Sequence, residues 1–291
     1  MMKNPLPRVA AIHDLSGFGR CSLTVVIPIL STMGFEVCPV PTAILSSHTG
    51  IEGFTLFDLT EELPAFIGHW ERLGLRFDAV YSGFLGSVRQ ADIVRGFVDR
   101  FKTDDTLVVV DPVMADYGKL YASMPPEMVG EMSKLCAKAQ VITPNITEAA
   151  LMLGRPVPER LTPSEAKDWL KALSDLGPAM PVITSLPLAG REEVSAVAAY
   201  NREDGRFWLA GRPVVPTQYH GTGDIFSSVL TGSLLQGDSL PVAVDRASQF
   251  VAGAIRGTFG YSGLGHHEIL LERALKNLAN ASHSDNYELL P

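Results

Sequence analysis

Short β-branched apolar runs alternate with longer helix-period segments along most of this chain. That alternation is the signature of a parallel sheet whose strands are joined by crossover helices. The clearest strand is TLVVVD at residues 106–111, a continuous apolar run closed by an acid, as a strand covered on both faces should be. Central strands are expected at residues 9–13, 37–41, 79–82, 107–111, 141–143 and 182–185. Helices are expected between them, near 22–33, 61–73, 88–101, 126–137, 148–153 and 164–176. Two further strands, 194–200 and 206–210, flank NREDG, whose Asp-Gly favours a tight turn, so a hairpin should form an antiparallel edge. Helices near 224–236, 241–258 and 268–279 follow, then a polar tail expected to fray from about residue 281. No repeat or linker interrupts the pattern, which predicts one domain over residues 1–291.

Composition narrows the class. With 291 residues, 46% of them hydrophobic and 19% charged, the chain can bury a full core. Its net charge of −8 lacks the basic field that sequence-independent nucleic-acid binding needs, so no nucleic-acid partner is expected. An anionic ligand must then be handled by local devices. Three scattered cysteines make neither a disulfide framework nor a zinc site. No apolar run reaches the ~18 residues of a membrane span, and the expected location is the cytoplasm.

In open α/β sheets ligands sit outside the carboxyl ends of the strands. Five post-strand segments answer to that rule: HDLSGFGR, SSHTG, SGFLG, DPVMAD and TPNITE. A sixth candidate, His220-Gly221-Thr222-Gly223-Asp224, opens a helix. Its glycines let a ligand approach the backbone, and the helix start offers unpaired N–H groups and the positive dipole end. Such a cradle suits charge developing on a transferring phosphoryl group, and Asp224 in the first turn could take a proton from a hydroxyl in line with the phosphorus. The plain alternative is that Thr222 caps the helix and Asp224 only complements its dipole.

Asn145 and Glu148 stand three apart at another helix start, so both can face one point, and hard oxygen ligands of this kind suit Mg²⁺ on nucleotide phosphates. The alternative is a capping box in which Asn145 caps and Glu148 closes the ring. Pro112 stops the strand before it and leaves Asp111 at the ligand-binding edge, where an acid is costly unless paired or near a cation. Asp14 with Ser16, and Ser46, Ser47, His48 and Thr49, supply hydrogen-bonding groups suited to a small polar ring. His266 and His267 are a weak metal candidate, because adjacent residues point apart on a helix.

Taken together, GTGD at 221–224, DPVMAD at 111–116, ITPNITEA at 142–149, SSHTG at 46–50 and VITS at 182–185 resemble the ribokinase-like superfamily. Within it they resemble the pyridoxal, pyridoxine and pyridoxamine kinases of vitamin B6 salvage. The resemblance covers residues 9–267. It implies a three-layer α/β/α fold with a mostly parallel sheet, ATP and Mg²⁺ as cofactors with a monovalent cation such as K⁺ as a further candidate, and a homodimer. It also implies phosphorylation of the 5′-hydroxymethyl group of a B6 vitamer. Asp224 is then the general base and Gly221, Thr222 and Gly223 the anion hole. Asn145 and Glu148 organise Mg²⁺ and phosphate, and Asp111 lies beside them. Thr184 and Ser185 sit on the ATP side, while His48 and Thr49 line the pyridine pocket. Phe84 stands where the family carries a ring-contacting Tyr, and Asp14 where it often carries Ser. Hydroxymethylpyrimidine kinases of thiamin synthesis share the superfamily and are the enzymatic alternative. A catalytically silent vitamer binder is the non-enzymatic one.

Overall fold

A computed structural model describes residues 6–261, 268–279 and 286–291. In chain order the elements are β1 (Arg8–Ser16), α1 (Leu23–Thr32), β2 (Glu36–Leu45), β3 (Leu56–Asp58), α2 (Leu63–Arg72), β4 (Ala79–Ser82) and α3 (Val88–Phe101). Then come β5 (Leu107–Val110), β6 (Ala115–Asp116), β7 (Lys119–Leu120), α4 (Met128–Cys136), β8 (Val141–Ile142), α5 (Ile146–Leu153) and α6 (Pro163–Asp175). The remainder is β9 (Met180–Leu186), β10 (Val194–Asn201), β11 (Arg206–Pro213), α7 (Thr222–Leu235), α8 (Leu240–Phe259), α9 (Leu271–Ala279) and β12 (Tyr287–Leu289).

Ten of the described strands form one sheet in the order β12-β11-β10-β9-β8-β5-β4-β1-β2-β3. The six from β9 to β2 are parallel, with Val9 opposite both Val37 and Ala79, and Val80 opposite Val108. Both margins are antiparallel: β10, β11 and β12 on one side, β3 on the other. Side chains alternate across a strand, so each central strand feeds two cores. Ala10, Ile12, Val80, Val108, Val110, Ile142 and Ile183 pack under α2 to α6. Val9, Ala11, Ala79, Tyr81, Val109, Val141 and Val182 pack under α1, α7, α8 and α9. Each fully buried Val or Ile contributes ~1.5–3 kcal/mol, which is why these strands are apolar on both faces. The result is the expected three-layer α/β/α architecture.

Several elements depart from the sequence reading. The last residues are not a frayed tail, because Tyr287–Leu289 adds to the sheet beside β11, with Trp208 opposite Leu289. Its signal was three residues long and depended on an edge far away in the chain. Residues 280–285 lie outside the described residues, as do His266 and His267. The last helix begins at Leu271, and Glu268 is drawn instead into a bridge with His220. The 201–206 turn is a hairpin loop in which Gly205 takes φ +69°, supplying the left-handed residue that the Asp-Gly pair foretold.

Candidate active site

Gly221 sets the geometry of the first turn of α7. It adopts φ +78°, and a Cβ there would lie 2.1 Å from the carbonyl oxygen of Arg20. No other residue fits without moving that backbone. The same choice removes the side chain that ordinarily caps a helix, and none replaces it among the described residues. Thr222 does not cap, since its hydroxyl donates to the Tyr219 carbonyl at 3.4 Å. The first amide to bond back is that of Ile225, to Gly221 at 3.0 Å. The amides of Thr222, Gly223 and Asp224 therefore leave the helix end with no intrahelical acceptor. Such a start attracts anions.

Asp224 stands in this first turn, and its Oδ2 accepts from the Ser22 backbone N–H at 2.9 Å. Burial pushes its carboxyl up to about 7; the Ser22 N–H opposes that rise, and the charges of Asp111 and Asp14 add to it. Asp14, at the end of β1, is buried, with Oδ1 accepting from Ser22 Oγ at 2.5 Å and Oδ2 from Ser16 Oγ at 3.2 Å. Burial raises it too. Its neighbour His13 is held neutral, its pKa lowered to about 3 by burial, and packs edge-on against Tyr81.

Asp111 follows β5, where its backbone N–H continues the ladder to Ser82. Ser227, one helical turn beyond Asp224, donates to Asp111 Oδ2 at 3.1 Å and meets Thr143 Oγ1 at 2.8 Å. A Cβ on Gly223 would come within 3.9 Å of the same Asp111 oxygen, so the start of α7 lies against the end of β5. Asp111 and Glu148 are both buried and both raised, by burial first; repulsion from Asp111 adds to the rise at Glu148. None of the ion pairs among the described residues includes Asp14, Asp111, Glu148 or Asp224.

The start of α5 is closed by the capping box that the sequence left open as an alternative. Asn145 Oδ1 accepts from the amides of Thr147 and Glu148, and Glu148 Oε2 accepts from Asn145 N at 2.9 Å. Further bonds hold the β6–β7 hairpin over this end of the sheet. Glu148 Oε1 accepts from Met114 N and Ala115 N, Asn145 Nδ2 donates to Ala115 O, and Gly118 N donates to Thr147 Oγ1. Tyr121 just beyond the hairpin is 38% exposed; partial burial, then the charges of Glu148, Asp116, Asp111 and Asp224, hold its phenol above its ordinary range. Thr184 bridges Asn145 in the sheet, and the exposed Ser185 beside it takes φ +52°, a strained conformation of the kind that collects at functional sites.

On the opposite side, Ser47 and His48 are buried and Thr49 is exposed. His48 Nδ1 accepts from Gly50 N at 3.1 Å, which leaves the proton on Nε2 to donate to Glu268 Oε1 at 3.2 Å. The His220 ring lies 4.7 Å from that of His48. Phe84 is half-buried against the α3-side core, and its carbonyl accepts from Thr42 Oγ1 at 3.5 Å. Sequence reasoning missed Ser22, Ser227, Tyr121 and Glu268 as members of this neighbourhood, and it named His220 only as the start of the glycine-rich segment. Ser227 was legible as Asp224 plus one turn, whereas Ser22 and Glu268 arrive through tertiary contacts with no local signal.

The family described as phosphomethylpyrimidine kinase matches residues 72–269. A pyridoxal kinase PdxY of Rubrobacter xylanophilus is 30% identical over 281 residues, covering 93% of each chain. A Bacteroides thetaiotaomicron protein described as a phosphomethylpyrimidine kinase, in a crystal form with pyridoxal, superposes with a TM-score of 0.94 at 51% identity, covering 98% of this chain and 99% of its own. The pyridoxal kinase of Lactobacillus plantarum superposes with a TM-score of 0.87 at 31% identity, over 94% and 97% of the two chains.

Proposed function

The chain belongs to the phosphomethylpyrimidine kinase family, and from that premise we propose that it phosphorylates the 5′-hydroxymethyl group of pyridoxal, pyridoxine or pyridoxamine with ATP. The observation that carries this reading is Asp224, a carboxyl raised to about 7 inside a helix start that no side chain among the described residues caps. A base with that pKa is matched to neutral pH, and the open amides beside it are matched to charge on a transferring phosphoryl group. The vitamer rather than the pyrimidine is favoured by the 51% identical neighbour seen with pyridoxal and by the curated relatives, which are pyridoxal kinases.

Transfer is in line and needs no covalent enzyme intermediate. Asp224 takes the proton of the hydroxymethyl oxygen as that oxygen bonds to the γ-phosphorus of ATP and the bond from that phosphorus to the β–γ bridging oxygen breaks, so ADP is the leaving group. The amides of the Gly221–Gly223 anion hole, with that of Asp224 beside them, then receive the charge on the phosphoryl oxygens. Losing one preorganised donor of this type costs ~2.7–4 kcal/mol in the barrier. Ser47, His48, Thr49, Phe84 and Asp14 stand on the ring side, and Thr184 and Ser185 on the nucleotide side.

Asp111 and Glu148 fit a divalent cation: they are buried, mutually repelling oxygen donors with no ion pair among the described residues. Asp111 is the direct ligand in this reading. Both Glu148 oxygens already accept backbone amides, so Glu148 acts by charge or through water, and Asn145 by aligning α5. Bound there, Mg²⁺ supplies positive charge to the nucleotide phosphates. A monovalent cation such as K⁺ is tested by comparing turnover in potassium and sodium buffers.

The reading also includes a cytoplasmic homodimer. For the dimer the support is the β3 margin, where Phe57 is 67% exposed, Ile44 lies opposite it in register, and Leu56 is exposed beside it. Phe57→Glu is expected to give monomers by sedimentation, and an unchanged dimer contradicts that face.

The test of the activity is ADP release with MgATP and each of pyridoxal, pyridoxine, pyridoxamine and hydroxymethylpyrimidine. Turnover on a B6 vitamer is expected. Turnover on the pyrimidine alone moves the substrate to thiamin chemistry. Ligand-dependent thermal stabilisation with no ADP release favours a silent binder.

A further inference from the structure

Ser22 occupies the N-cap position of α1, where serine ordinarily turns its hydroxyl onto the helix's own amides. Here it does not cap. Its backbone sits at φ +50°, ψ −130°, a conformation that L side chains avoid. Its carbonyl accepts from the Val25 and Val26 amides, but its two donors point elsewhere: Oγ donates to Asp14 Oδ1 at 2.5 Å, and N–H donates to Asp224 Oδ2 at 2.9 Å. The surrounding loop is braced in this shape. Thr24 Oγ1 bonds the carbonyls of Gly19 and Cys21 and accepts from Cys21 N, and the Arg20 carbonyl abuts the bare Cα of Gly221.

A residue that gives up its cap and holds a strained backbone needs compensation, and the short bond to Asp14 supplies it. We propose that Ser22 is a positioning residue for the phosphoryl-transfer step, its strained N–H aiming the Asp224 carboxylate and its hydroxyl locked in place by Asp14. The inference rests on the kinase reading for its kinetic test. It gives Asp14 a task distinct from contact with the ring: the acid anchors the loop that aims the base. A neutral acceptor at position 14 can hold the same hydroxyl, whereas a methyl group cannot.

The experiment compares Ser22→Ala, Ser22→Gly, Asp14→Ala and Asp14→Asn for kcat and KM, with crystal structures of Ser22→Ala and Asp14→Ala as a readout independent of turnover. Ser22→Ala keeps the strain and loses the lock, so kcat is expected to fall at least 10-fold while KM for vitamer and for MgATP moves less than 3-fold. Asp14→Ala should match its fall in kcat and leave the KM for MgATP within 3-fold, whereas its KM for vitamer also reads the loss of a ring-side group. Asp14→Asn should recover at least half of that loss on a logarithmic scale. Ser22→Gly, which adopts φ +50° without strain, should recover part of it. In both crystal structures the Ser22 N to Asp224 Oδ2 contact should be lost. Unchanged kcat in Ser22→Ala, a KM effect without a kcat effect, or an Asp224 carboxylate unmoved in the crystals overturns the proposal. If the unmodified protein turns over no vitamer, the kinase reading fails by itself, and the crystal geometry still decides the positioning role.

Discussion

Two helix starts face the same edge of the sheet, and they are built in opposite ways. At α5, Asn145 and Glu148 fold their side chains back over the first amides, close a capping box and pin the β6–β7 hairpin. At α7, Gly221 offers no side chain, Thr222 turns its hydroxyl away, and the amides stay open beside Asp224. Both sequences are small, polar and acidic, so composition alone does not separate them. What separates them is whether the chain satisfies its own N–H groups. A capped start is a structural joint, and an uncapped one next to a raised carboxyl is a place for charge to arrive.

The largest way to break this contrast is to fill Gly221. Gly221→Ala places a methyl 2.1 Å from the Arg20 carbonyl in a left-handed backbone, so α7 must shift against the 20–22 loop. Since one misplaced anion-hole donor is worth ~10²–10³ in kcat, a loss of at least ~10² is expected in steady-state turnover. Circular dichroism checks that the variant folds. Normal turnover would mean that the tight Gly221 approach has no catalytic consequence.

Uncapping α5 should act on stability. Asn145→Ala removes an N-cap acceptor and the bond to Ala115, and a loss of ~1–2 kcal/mol is expected in urea unfolding. A smaller loss in kcat than at Gly221 would sharpen the comparison, and equal losses would erase it.

The raised acids give a pH signature. Asp224 in the folded state titrates at about 7, above its ordinary carboxylate value, so folding favours its protonated form. That contribution is full below pH ~4 and is lost as pH rises through ~7. Asp224→Asn has no charge to bury, so in metal-free buffer it should gain stability over the unmodified protein between pH 5 and pH 8. Parallel stability curves for the two proteins would show that burial does not raise this carboxyl. The smallest effect is expected at Thr222→Ala, within about 0.5 kcal/mol in urea unfolding, because its hydroxyl makes only a 3.4 Å bond and caps nothing. A full cap-sized loss there would show that Thr222 caps α7 in solution.

The same distinction governs what the sequence could foretell. β4 and α3 fall on residues 79–82 and 88–101 as their apolar periods require, and Pro112 ends β5 at the acid. The GTGD and TPNITE segments were legible as helix starts. Which one was capped was not, because capping depends on the rotamers of Asn145 and Thr222 and on the approach of Arg20 from a distant loop. β3 and β12 were missed because each is three residues long and exists only by joining a sheet margin. Ser22 carries no local sign of its bonds to Asp14 and Asp224, which lie 8 and 202 residues away.

The most direct test of the central claim is the turnover of pyridoxal with MgATP by Asp224→Ala beside the unmodified protein, with vitamer affinity measured by calorimetry on both. If Asp224 is the base at the uncapped start of α7, kcat should fall by at least ~10² while vitamer binding persists. Near-normal kcat in that variant would contradict the account.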